Sequence, residues 1–92
     1  MTSTDWKGLK DALIDRGFSV KTLGRDKMEY FAELPYMSVD IIRGGISHSG
    51  MLTDIDICTD LSADLIHEEA RTASEVIDLI DVCISDYNEF AN

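Results

Sequence analysis

One proline, two cysteines and no long apolar run set the first limits on this 92-residue chain. A membrane-spanning helix needs about 20 apolar residues in succession, and the runs here are only a few residues long, so no such span is expected. The segment from Met1 to Asp5 lacks the basic, apolar and small-residue regions of a secretory signal, and a cytoplasmic location is the expectation. Cys58 and Cys83 fall in no Cys-x-x-Cys or disulfide-dense pattern, so both read as reduced thiols filling apolar space. Positive charge is also scarce, but only in one half. Residues 1–53 carry seven acids and seven bases, whereas residues 54–92 carry eleven acids against Arg71 alone, which accounts for the whole net charge of -10.

What remains is the composition of one small folded domain spanning residues 1–92. The apolar fraction of 45% is normal for a globular protein and too high for a disordered acidic tail, so the charge sits on a folded surface. A chain of this length supports one modest core with little left over for a deep catalytic cleft.

Periodicity predicts an α+β fold: a helix, a four-stranded antiparallel meander, and one or two C-terminal helices packed on one sheet face. Thr4 or Asp5 can cap a first helix in which Trp6, Leu9 and Leu13 recur at helical spacing until Gly17 offers a left-handed stop. Phe18 and Val20 then alternate with polar neighbours, and Gly24 to Lys27 turns the chain. Met28, Tyr30, Ala32 and Leu34 share one face of a second strand, ended by Pro35. Met37, Val39 and Ile41 mark a third. Gly44 to Gly50 reads as a loop leading to a fourth strand, with Thr53, Ile55 and Ile57 on one side and Leu52, Asp54, Asp56 and Cys58 on the other. Beyond Asp60 the apolar residues Ile66, Ala70, Ala73, Ile77, Ile80, Ile84 and Tyr87 step by fours and threes. Thr72-Ala73-Ser74-Glu75 reads as a capping box, which divides this stripe into a helix over about 61–70 and another over about 73–89.

Motifs for chemistry are few. Asp54-Ile55-Asp56-Ile57-Cys58-Thr59 has the look of a phosphatase aspartate pair, but the chain is too short for the domain that chemistry requires, and no calcium loop fits the same aspartates. The Gly44 to Gly50 stretch lacks the Gly-Lys-Ser/Thr ending of a phosphate loop. His67 could join Asp60 and Asp64 on one helical face as metal ligands, but a lone surface histidine is the commoner case, and His48 has less support still. No nucleophile-and-base set can be argued, so the expectation is a binding protein, not an enzyme, with no cofactor and no metal.

The acidic half supplies the candidate site. On the last helix Glu75, Asp78, Asp81, Asp86 and Glu89 fall away from the apolar stripe. At about 1.5 Å per residue they span roughly 21 Å, a spacing comparable to phosphates along a nucleic-acid strand. Asp54 and Asp56 on the outer sheet face, with Asp60, Asp64, Glu68 and Glu69, extend this surface. Concentrated charge of one sign repels itself, a cost that ordinary surfaces avoid by mixing signs.

A family resemblance follows from element order and charge. The capped helix Asp5-Trp6-Lys7-Gly8-Leu9-Lys10-Asp11-Ala12-Leu13-Ile14, then Phe18-Ser19-Val20-Lys21, a meander and an acidic helical end, resembles the small phage-encoded anti-CRISPR proteins that block a CRISPR nuclease by imitating DNA. The resemblance implies an inhibitor in the host-cell cytoplasm that occupies the basic channel of a nucleic-acid-binding protein, such as a CRISPR effector, and does not itself bind nucleic acid. Helix, meander and helix with an acidic surface also resembles type III secretion chaperones and YbjN-like domains. That likeness implies a protein segment, or a second copy in a homodimer, on an apolar sheet face formed by Phe31, Tyr36, Ile42 and Leu52.

Overall fold

A computed structural model of the protein describes residues 2–44 and 52–91. Residues 45–50 of the expected Gly44 to Gly50 loop, His48 among them, lie outside that set. The elements are α1 (Ser3–Asp15), β1 (Ser19–Leu23), β2 (Glu29–Leu34), β3 (Met37–Arg43), β4 (Thr53–Thr59), β5 (Ser62–Ala70) and α2 (Ala73–Ala91). All neighbouring strands pair antiparallel in chain order, β1-β2-β3-β4-β5. The fold is α+β, a meander with a helix at each end.

α1 starts slightly earlier than the expected Thr4 or Asp5 cap. The Thr2 hydroxyl accepts from the Asp5 amide at 3.1 Å, and the Asp5 carboxylate accepts from the Thr2 amide at 3.2 Å. This reciprocal pair satisfies two amides that no helical carbonyl can reach, and the bonds to Thr2 hold the Asp5 carboxyl below its ordinary range. The helix ends as expected at Gly17, whose φ of 92° is open to glycine without steric cost. There the Gly17 amide donates to the Ile14 carbonyl and the Phe18 amide to the Leu13 carbonyl, closing the last turn.

Residues 61–70 were expected to be helical and are instead the fifth strand. Thr59 pairs with Ser62, so Asp60 and Leu61 turn the chain back beside β4 before a helical turn can close. Ala, Leu and Glu favour a helix by only a few tenths of a kcal/mol each, and a ladder along all of β4 outweighs that preference. A single C-terminal helix remains, beginning at Ala73 as the capping box predicts. The Glu75 amide donates to the Thr72 hydroxyl at 3.1 Å, and the Glu75 carboxylate accepts from the Arg71 amide at 2.8 Å.

Both helices lie on one side of the sheet. Trp6, Leu9 and Leu13 from α1 join Val76 and Ile80 from α2 over Ala32, Val39, Ile41, Ile55 and Ile57. Each buried Leu, Ile or Val of this set contributes about 1.5–3 kcal/mol by leaving water, and their shared face fixes which side of every strand is inward. Val76, absent from the expected stripe, is fully buried, whereas Ile77, Ile84 and Tyr87 are half-buried. Met28, expected inside, precedes β2 and is exposed. The Trp6 ring stacks on Tyr30 with centroids 3.9 Å apart, and the Tyr30 hydroxyl donates to the Trp6 carbonyl at 2.9 Å. The helices leave the opposite face of the sheet bare.

Candidate functional site on the open sheet face

Strand periodicity places the alternate residues of the core positions on the bare face, and the register aligns them in rows across the strands. One row runs Lys21, Phe31, Asp40, Asp56 and His67, each opposite the next on adjoining strands. The neighbouring row runs Leu23, Glu29, Ile42, Asp54 and Glu69. Two like-charge pairs therefore stand directly opposed, Asp40 with Asp56 and Asp54 with Glu69. Cross-strand neighbours of this kind are about 4.5–5.5 Å apart at Cβ, and like charges there are destabilising.

Two devices reduce the repulsion. The first is a raised pKa at Asp40. Asp40 is pushed up to about 7 by burial beside Phe31 and Ile42, by a hydrogen bond with Glu29, and by the charges of Glu29 and Asp56. One Asp40 oxygen is buried without a hydrogen-bond partner, which further favours the neutral acid. The second device is His67. Its Nδ1 lies 2.6 Å from an Asp56 oxygen and its Nε2 4.0 Å from Glu69. The bond to Asp56 raises the imidazole pKa, with the charges of Asp56, Asp54 and Glu69 adding to the effect, which favours the positively charged ring. Asp54, His67 and Glu69 also offer ligand atoms all within 4.8 Å of one another and could hold a cation, with Asp56 orienting the ring. The helical cluster of His67 with Asp60 and Asp64 does not form, because His67 stands on a strand.

The eleven carboxylates of the acidic half divide among several surfaces. Asp54, Asp56 and Glu69 belong to the open sheet face. Asp60 hydrogen-bonds Tyr87, and Asp86 lines a groove between α2 and the start of β5, on the helix side of the sheet. Glu68, opposite Ile55, also faces the helix side, while Asp64 sits near the start of β5. On α2, Glu75 is engaged in the cap and Asp81 in an ion pair with Arg16, which leaves Asp78 and Glu89 as solvent-facing charges. The continuous string of helical carboxylates is thus interrupted by a base from α1.

The expected apolar face divides as well. Phe31 and Ile42 do occupy the open face, with Ile42 39% exposed, and Leu52 is exposed just ahead of β4. Tyr36 does not join them: it stacks on Tyr87 of α2, centroids 4.2 Å apart, and so belongs with the helix side. Glu29 and Asp40 were not singled out in the sequence. The signal was present in Asp40, the one acid inside the alternation Met37, Val39, Ile41, but it takes the register to show that Glu29 and Asp56 stand next to it.

No family model, curated protein or solved structure gives a match to this chain. The functional reading therefore rests on the geometry. Among the described residues no helix is long and apolar enough to cross a membrane.

Proposed function

We propose that the protein acts by binding, not by catalysis, and that its open sheet face presents carboxylates to a basic site on a nucleic-acid-handling protein. The observation that carries this is the two-row array in which Glu29, Asp54, Asp56 and Glu69 stand on one face around Asp40, whose own carboxyl is raised to about 7, with Lys21 and His67 as the bases of those two rows. A basic groove shaped for phosphates is drawn to such a face, and the same face repels nucleic acid itself. Inhibition by DNA mimicry, with a CRISPR effector as one such target, is the specific form suggested by the element order and the net charge of -10.

Affinity capture from bacterial lysate tests the proposal. Support would be an identified DNA- or RNA-binding protein that is released both by salt and by competing DNA. Recovery of a protein that resists both would count against it. A second reading, an adaptor or chaperone for a protein segment, draws support from exposed Ile42 beside half-buried Phe31 on the same face. That reading requires salt-resistant binding that is lost in Phe31→Ser or Ile42→Ser.

A further inference from the structure

The sheet is five strands wide, and its two helices do not cover all of it. α2 starts beside the end of β5 and runs toward the turn between β2 and β3, where Tyr87 meets Tyr36. Around Leu61 and Ile66 the helix side of the sheet is left uncovered. A groove of about 510 Å³ opens there, floored by Leu61, Ile66, Cys83, Tyr87 and Phe90. Its apolar residues face water: Leu61 is 51% exposed, Ile66 42% and Phe90 81%. This side of the molecule is separate from the open face.

The surroundings of the groove are acidic. Asp86 is part of its wall, Asp60 is bonded to the Tyr87 hydroxyl, and Glu68 and Asp86 both bear electrically on the Cys83 thiol. β5 itself is the last strand of the sheet among the described residues, nine residues long, with no strand beyond it. Glu68 lies on its helix side and Glu69 on its open side, where the one base of the strand, His67, is engaged by Asp56. An exposed edge of this length beside an apolar groove is the geometry that accepts an added strand.

We propose that the groove and the β5 edge receive an extended basic segment of a partner protein. Its apolar side chains would pack on Leu61, Ile66 and Phe90, and its lysines or arginines would meet Asp60, Glu68, Glu69 and Asp86. Charge selects this occupant over a second copy of the chain. A two-fold dimer across the same face brings two sets of these carboxylates together, and of the bases nearby His67 is already engaged by Asp56 while Arg71 lies beyond the end of β5, away from the groove.

The blocked peptide Lys-Leu-Lys-Val-Lys-Thr-Lys is the probe, with a version carrying glutamate in place of lysine as its control. Binding is followed by backbone amide NMR. The lysine peptide should give saturable shifts concentrated in residues 59–69 and 83–90, and the glutamate peptide none. Phe90 is almost wholly exposed at the end of α2, so Phe90→Ser keeps the fold and should weaken binding roughly tenfold, as loss of an interface anchor does. Shifts confined to the open sheet face, equal binding by Phe90→Ser, or the absence of saturable binding would overturn the proposal. So would sedimentation as a dimer whose groove is already covered.

Discussion

Arg16 and Asp81, 65 residues apart in the chain, form a two-point ion pair that ties the end of α1 to the middle of α2. The guanidinium donates from Nε at 2.7 Å and from Nη2 at 3.0 Å to the two carboxylate oxygens. The pair holds the Asp81 carboxyl below its ordinary range and the Arg16 guanidinium above its own. Both side chains are well exposed, so Asp81→Ala should cost only about 0.2–1 kcal/mol in urea unfolding, and less in high salt. Because the folded carboxyl is the stronger acid, the contribution is present above the unfolded value of about 4 and is lost as pH falls. An effect of several kcal/mol, or one that grows with acid, would mean that Asp81 holds the helices by other contacts.

The raised carboxyl of Asp40 predicts the opposite pH dependence. A carboxyl raised on folding binds its proton more tightly in the native state, so stability is greatest below the unfolded value of about 4 and is lost as pH rises through about 7. Asp40→Asn keeps a donor for Glu29 and removes the charge. It should raise the unfolding midpoint at pH 8, leave it almost unchanged near pH 3, below the unfolded value, and flatten the profile between them. A variant less stable than the parent at pH 8 would contradict the raised Asp40 carboxyl.

The stacked pair Trp6 and Tyr30 joins α1 to the start of β2. Tyr30→Phe keeps the stack and leaves the Trp6 carbonyl without the hydroxyl, at a cost of about 0.5–1.5 kcal/mol. Tyr30→Ala removes the ring and should cost about 3–5 kcal/mol. Trp6 is the single tryptophan, so its fluorescence reports the loss of the stack directly.

The sequence carried most of this architecture but not the assembly of its surface. α1, the first four strands and the start of α2 follow from period, Gly17, Pro35 and the Thr72 cap, because each signal is local. β5 was not legible. Ile66, Glu68 and Ala70 face the helices while Leu65, His67 and Glu69 face out, so an edge strand wet on both sides shows no alternation to read. The acidic half was visible as composition, but its division among surfaces depends on contacts between residues far apart in the chain. Arg16 reaching Asp81 and Glu29 standing beside Asp40 are of that kind, and both needed the sheet register or the helix packing to appear.

Those contacts also decide where the binding claim is best tested. Reversal of Asp78, Asp81 and Asp86 would place a lysine beside Arg16 and disturb the helix pair, whereas Asp54, Asp56 and Glu69 stand on the helix-free face. The most direct measurement is capture by the triple variant Asp54→Lys, Asp56→Lys and Glu69→Lys, with circular dichroism confirming the fold. The account predicts an intact fold and loss of the nucleic-acid-handling partner that salt and DNA release from the parent. Undiminished capture of that partner by the folded variant would contradict it.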